Sequence, residues 1–389
     1  MAKAARPTIA LYARIAALAG ATAVSFAAGS ALAETKTFNT KTGPVAVESI
    51  AGDLAQPWAV DVLPGGGYIV TELGGNLRTV VDGKVSEPIE GVPKVAVMGQ
   101  GGLLDVALSR DFETSRRLFL SHAVGENGAY GTAIVSARLS DDGSRLEDVK
   151  EIFRMNKLTD KGQHFGSRLA VAEDGSLFFS IGDRGERNRA QDMRDHAGAV
   201  LHINADGSIP ANNPYADGKN GLPELWSKGH RNIQGMAIDP ADQRLVTVEH
   251  GARGGDEVNY PQAGKNYGWP VITYGKDYSG AEIGEGTTKP GYEQPVFYWD
   301  PSIAPGGMVV YRGDMFPEWK GDLLVAALKY ELLSRLDRDD AGAITAEERM
   351  LDGEYGRIRD VAVAADGSVL LVTDAEDGQL LRLTRPISE

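Results

Sequence analysis

The sequence predicts an all-β fold, a six-bladed β-propeller, on three observations. Helical periodicity is scarce, and short apolar runs bounded by Gly, Asp, Pro and Asn dominate instead. One pattern recurs six times: a short strand, a turn rich in Asp and Gly, then a second strand. The copies lie roughly 45 to 75 residues apart, the spacing of propeller blades that carry loop insertions.

The copies follow in order. WAVDVLPGGGYIVT (58 to 71) and LLDVALSRDFETSRRLFLSH (103 to 122) come first. RLAVAEDGSLFFSIGD (168 to 183) and GMAIDPADQRLVTVEHG (235 to 251) are next, then GMVVYRGDMFPEWKGDLLVAAL (307 to 328) and DVAVAADGSVLLVTDA (360 to 375). An Asp-Gly turn supplies the positive φ angles of a tight hairpin. A blade cannot bury both of its faces alone, so six of them stack radially about a channel. The strand around Val45 to Ile50 is expected to pair with the last blade near Leu380 to Leu383 and close the ring. Loops 184 to 230 and 253 to 300 are rich in Gly, Asn, Pro and Tyr. They are expected to build the site on one face of the scaffold.

Residues 1–33 read as a cleaved secretory signal: a basic front at Lys3, Arg6 and Arg14, an apolar run from Ala16 to Ala28, and Ala31-Leu32-Ala33 at the cleavage point. The alternative is a membrane anchor, for which the run is short and Ala-rich. A single domain, 34–389, and a periplasmic location follow as expectations. There are no cysteines, so no disulfides. Removing the leader makes the net charge three more negative than the −14 of the full chain. Such a charge argues against nucleic acid and anionic membranes as partners, and makes any cluster of cations informative.

The densest chemistry lies in GHRNIQGMAIDPADQRLVTVEHGARGGDEVNYPQAGKNYGWP, residues 229 to 270. Arg231, Asn232 and Gln234 offer a fork of donors to an anionic or carbonyl-bearing ligand. Gly251 and Ala252 follow a strand end, where bare carbonyls can face a hard cation. The combination suits a metal beside an oxygen-rich organic cofactor. His164, in QHFGSRL, is either a general base or a buried structural histidine, with Asp183 placed to approach it. Arg357 and Arg359, two apart on a strand, share one face. They are either solvated cations or a receptor for carboxylates. DRDDAGAITAEE (337 to 348) has part of an EF-hand pattern, but no helix precedes it, and it is read as a hairpin turn.

Together with GQGGLLDVALSRDF (99 to 112), IGDRGERNRAQD (181 to 192), WDPSIAPGGMVVYRG (299 to 313), AALKYELLSRL (326 to 336) and GRIRDVAVAADG (356 to 367), these stretches resemble one family. It is the pyrroloquinoline quinone (PQQ)-dependent aldose sugar dehydrogenases, the soluble glucose/sorbosone dehydrogenase family. The likeness runs through nearly all of the chain after residue 45.

The resemblance implies PQQ and Ca2+ as cofactors, with the loop insertions on the cofactor-binding face. It implies oxidation of an aldose at C1 to the aldonolactone, hydride passing to PQQ and electrons to an external acceptor. His164 is then the general base, Asp183 orients it, and Arg231 stabilises charge growing on the quinone oxygen. Lys329, Arg357 and Arg359 take the PQQ carboxylates. Gln100, His164, Gln191, Arg231, Asn232, Gln234 and Ser302 fall at matched cofactor positions. Gly251 and Ala252 give carbonyls to the calcium on PQQ. Glu257, Asp277 and the carbonyls of Tyr267 and Thr273 form a second calcium site, or else merely cap loops. Trp226, Tyr260, Trp269, Tyr274 and Tyr298 either stack on sugars or pack loops. Two other functions suit the same scaffold: a calcium-dependent lactonase, which needs no cation trio, and a non-catalytic carbohydrate-binding propeller.

Overall fold

The computed structural model describes Met1, residues 35–339 and residues 341–386; the expected signal segment beyond Met1 lies outside the described residues. Among the described residues, twenty-five strands form six antiparallel sheets. Five blades have four strands each, and they begin at Pro57–Val62, Leu103–Leu108, Leu169–Val171, Ile233–Ile238 and Pro305–Val310. Each of the six sequence repeats supplies the first two strands of one blade.

The sixth blade is built from both ends of the domain. Ile358–Val363, Val369–Thr373 and Gly378–Thr384 are completed by Gly43–Leu54 and Lys36–Thr40. Val47 pairs with Leu383 and Ser49 with Leu381, so the ring closes where the sequence placed the closure. Closure leaves no first or last blade with a bare face.

The apolar core is divided among the blade seams. Trp58, Leu103 and Leu120 fill the seam between the first two blades, and Phe119, Phe179 and Leu201 fill the next. Tyr311, Phe316, Trp319 and Leu371 fill the seam between the last two. The seam between the third and fourth blades is leaner, with Ala170, Val200, Ile233, Met236 and Leu245 at its centre. Polar groups complete it nearer the site: Glu249 accepts from His230, from Asn259 and from the Arg231 amide. No helix among the described residues is long and apolar enough to cross a bilayer. The segment between Leu332–Arg338 and Ile344–Met350 joins paired strands, with the Asp339 carboxylate accepting from the amides of Ala341 and Ala343, as expected of a hairpin turn.

Candidate functional site

The residues that enter each blade's first strand gather at one end of the axis. They enclose a cavity of about 260 Å³ lined in part by Gln56, Trp58, Gln100, Phe165, Asn232, Gln234, His250, Arg357 and Arg359.

His164 stands next to two lining residues, Phe165 and Gly166, in a sharp reversal. Its φ is +54°, and Gly166 and Ser167 follow with φ of +61° and +77°. Gly182 lets the reversal lie flat on the adjacent strand end, since a Cβ there would sit 2.3 Å from the His164 carbonyl oxygen. The His164 amide donates to Gln100 Oε1 at 2.8 Å, so the matched glutamine holds the base's backbone.

His164 Nδ1 lies 2.6 Å from Asp183 Oδ1, and both side chains are nearly buried. Asp183 Oδ1 also accepts from the Gly185 amide at 2.7 Å, and Oδ2 accepts from the Trp269 indole at 2.8 Å. Burial pushes Asp183 up, but the His164 hydrogen bond and charge, Arg231 and the Gly185 amide outweigh it and hold it below the usual carboxylate range. Desolvation, aided by the Arg231 and Arg184 charges, holds His164 below the ordinary imidazole value against the pull of Asp183. At neutral pH the pair is therefore carboxylate plus neutral imidazole. Nδ1–H is donated to Asp183, which leaves Nε2 with its lone pair.

The cations converge as well. Arg359 stands in the cavity wall, enclosed by protein yet open to the cavity, and donates to Gln234 Oε1 at 2.9 Å. Desolvation, with Arg168 and Arg357 nearby, pushes its guanidinium down to about 10. Arg357 shares Asp374 Oδ2 through two nitrogens, at 3.0 and 2.9 Å, and is otherwise exposed. Arg231 has no carboxylate on its guanidinium among the described residues. It donates to the His250 carbonyl at 3.3 Å and lies 5.3 Å from the Trp269 ring. Lys329 is exposed at the rim, its ammonium 5.1 Å from the Tyr330 ring. Asn232 Oδ1 accepts from the Gly166 amide, and Gln234 Nε2 donates to the Gly166 carbonyl, so both amides brace the base's loop.

Other expected site residues are not brought to the cavity. The Ser302 hydroxyl donates to Asp256 Oδ2 at 2.7 Å, and the same oxygen takes the Ala304 amide, so this hydroxyl shapes a turn. Gln191 pairs reciprocally with Asn266 and donates to the Trp269 carbonyl, one layer behind the dyad. The Asp277 carboxylate is taken by Arg187 and Ser279. Tyr274 and Tyr298 stack on each other with centroids 4.1 Å apart. Trp226 and Tyr260 line a separate apolar cleft between the third and fourth blades.

The metal positions divide in the same way. No group of three or more His, Asp or Glu side chains is gathered for a metal among the described residues. Any cation would therefore rest largely on carbonyls. Glu257 is the exception: desolvation and the facing Glu249 push its carboxyl up to about 8. Asn259 donates to both glutamates, and its buried Oδ1 has no partner. A buried acid, a second carboxylate and an orphaned carbonyl oxygen form a donor set that a hard cation fits. Gly251 and Ala252 can add only backbone oxygens; the Tyr267 hydroxyl is taken by Tyr260 and Gln262, and the Thr273 hydroxyl already accepts from Gly275, so these two also offer mainly their carbonyls.

Three contributors were not legible beforehand. Trp58 forms one wall of the cavity, and its ring lies against both Arg168 and Arg359. His250 lines the cavity with Nε2 2.7 Å from the Pro305 carbonyl oxygen, and burial pushes it down to about 3. Trp269 was one of five aromatic candidates for stacking; its indole instead serves Asp183. Trp58 opens the first repeat and His250 lies within the 229 to 270 stretch, but the sequence assigns neither a place at the site. Trp269 does sit in the GKNYGWP stretch already set apart.

Known proteins share this chain's sequence pattern and its fold. The chain is 43% identical to the aldose sugar dehydrogenase YliI of Escherichia coli (strain K12) over 351 residues, covering 87% of this chain and 93% of that protein. The crystal structure of the soluble aldose sugar dehydrogenase of Escherichia coli, in its apo form, superposes with a TM-score of 0.84 at 42% identity, covering 88% and 100%. The PQQ-bound aldose sugar dehydrogenase of Streptomyces coelicolor superposes with a TM-score of 0.72 at 27% identity, covering 87% and 98%. A profile of the Glucose / Sorbosone dehydrogenase family matches residues 54–382, and the chain belongs to that family.

Proposed function

We propose that the protein is an oxidoreductase that oxidises aldose sugars at C1 to the aldonolactone. It would use PQQ and calcium and pass its electrons to an external acceptor. One observation carries the reading: the loop that holds the desolvated His164–Asp183 pair supplies Phe165 and Gly166 to the wall of an axial cavity that the Arg357 and Arg359 guanidinium groups also line. The family membership and the relatives described as aldose sugar dehydrogenases support it.

The residues present fit PQQ. Trp58, Leu104, Phe165 and Leu328 give apolar walls to a flat ring system, and Arg357, Arg359 and Lys329 offer donors for its carboxylates. When bound, PQQ supplies the two-electron acceptor that no side chain of the protein provides. His164 Nε2 takes the proton of the anomeric hydroxyl while Nδ1–H stays on Asp183, which steadies the imidazolium. Arg231 sets a positive charge beside the reacting oxygen, already in place before charge develops there. Calcium would rest on the Gly251 and Ala252 carbonyls, and a second ion on Glu257 with the Tyr267 and Thr273 carbonyls. Export through the 1–33 leader, a single 34–389 domain and a periplasmic site of action belong to the same proposal.

The test adds PQQ and calcium to metal-free apoprotein and follows dye reduction with a panel of aldoses. Sugar-dependent reduction that needs both additions is expected. No reduction with any aldose overturns the reading, and lactone hydrolysis without PQQ replaces it with a hydrolase.

A further inference from the structure

We infer that Trp269 is a positioning residue for the base: its indole N–H holds the second oxygen of Asp183 and thereby sets the aim and the basicity of His164. Its catalytic consequence rests on the proposed sugar oxidation, but the contact itself does not.

The Asp183 side chain is 2% exposed, so water does not serve its lone pairs. Oδ1 is shared by His164 Nδ1 and the Gly185 amide. Among the described residues Oδ2 has one donor, Trp269 Nε1 at 2.8 Å. Without that donor, a desolvated carboxylate oxygen has no partner and the carboxylate can rotate about its own axis. The imidazole it orients would rotate with it.

Trp269 is built to hold still. Its amide donates to the Gly229 carbonyl at 2.9 Å, and its carbonyl accepts from Gln191 Nε2 at 2.7 Å. Gln191 is locked by its reciprocal pair with Asn266. Ala190, Ala252 and Ile283 pack about the ring, which is 7% exposed. A ring so covered has no face to offer a sugar. One side chain thus ties the carboxylate behind the base to Arg231, whose guanidinium lies 5.3 Å from the ring.

The sign of the effect follows from acceptor strength. A carboxylate with fewer donors is a stronger base and holds an imidazolium more tightly. Loss of the indole N–H should therefore raise the His164 pKa. The other charged or titratable groups facing His164 are Arg231, Arg184 and His250, and a Trp269→Phe change leaves their side chains in place.

The experiment uses full-length apoprotein and NMR, and needs neither cofactor nor sugar. In the wild type, the Trp269 indole N–H resonance should shift with the same midpoint as the His164 ring signals. In Trp269→Phe, the His164 midpoint should move upward by roughly half to one pH unit. A Trp269 resonance that stays flat through the His164 transition overturns the inference, as does an unmoved His164 midpoint in the variant. If the protein oxidises aldoses, the acid limb of kcat/KM in Trp269→Phe moves upward with it and kcat falls about tenfold. A packing role alone would lower activity without moving the limb. Failure of the wild type to oxidise any aldose would remove the proposed reaction and leave the NMR result standing.

Discussion

Arg168 and Arg359 both lie against Trp58, at 4.4 and 5.4 Å from its ring, yet they serve different ends. Arg168 lies in the layer behind the cavity, with one nitrogen 3.0 Å from Asp105 and 3.1 Å from Asp360. Those carboxylates also accept the Leu169 and Val60 amides, stitching the third blade to the second and the first to the sixth. Arg359 faces the cavity, and among the described residues its hydrogen-bond partner is the Gln234 amide oxygen. Residue type is the same, and so is the neighbouring ring. What separates a structural cation from a receptor is whether the protein itself completes its charge.

The comparison can be broken at several points. The largest effect is expected beside the cavity: His164→Ala should lower kcat by about 10²- to 10⁴-fold while PQQ binding, read by its absorbance, persists. Loss of binding instead would make His164 a cofactor clamp. Next, Arg168→Met should destabilise the fold by about 3–5 kcal/mol in urea denaturation, because Asp105 and Asp360 stay buried without their cation. Arg359→Gln should do the opposite: stability nearly unchanged, and PQQ affinity by calorimetry weaker by roughly tenfold to a hundredfold. Equal effects of the two arginine changes on stability would erase the distinction.

The smallest effect concerns pH. Because His164 is held below the ordinary imidazole value, its base form persists into mild acid. The acid limb of kcat/KM should lie below the roughly 6.5 of a free imidazole. The linked stability has the same sign. A histidine buried neutral adds stability above its unfolded pKa, and that stability is lost as pH falls toward the folded value. A limb above about 6.5 would mean that Asp183 outweighs desolvation.

Much of the scaffold was legible in the chain. The Asp-Gly turns at 174–175 and 366–367, between paired apolar runs, are local features, and both marked the inner hairpin of a real blade. The closing strand was legible too, because an unpartnered apolar run at each end of the domain has one economical place to go. The site was legible in part. Asn232, Gln234, Arg357 and Arg359 line one cavity because each sits at a blade entrance; His164 and Arg231 each precede a lining residue, and Asp183, just past its blade's second strand, joins through its bond to His164. Ser302, Gln191 and Asp277 occupy equally suggestive places, yet nearer partners take their polar groups.

The sequence by itself determined the strands, the turns, the number of blades and the residue types available at their mouths, since these depend on short-range periodicity and backbone preference. Only the tertiary structure decided which polar groups spend their hydrogen bonds on one another. Trp269 meets Asp183 across 86 residues, and Arg359 meets Gln234 across 125. Those meetings depend on loop paths and on the direction each side chain takes from its strand, and no local pattern carries that information.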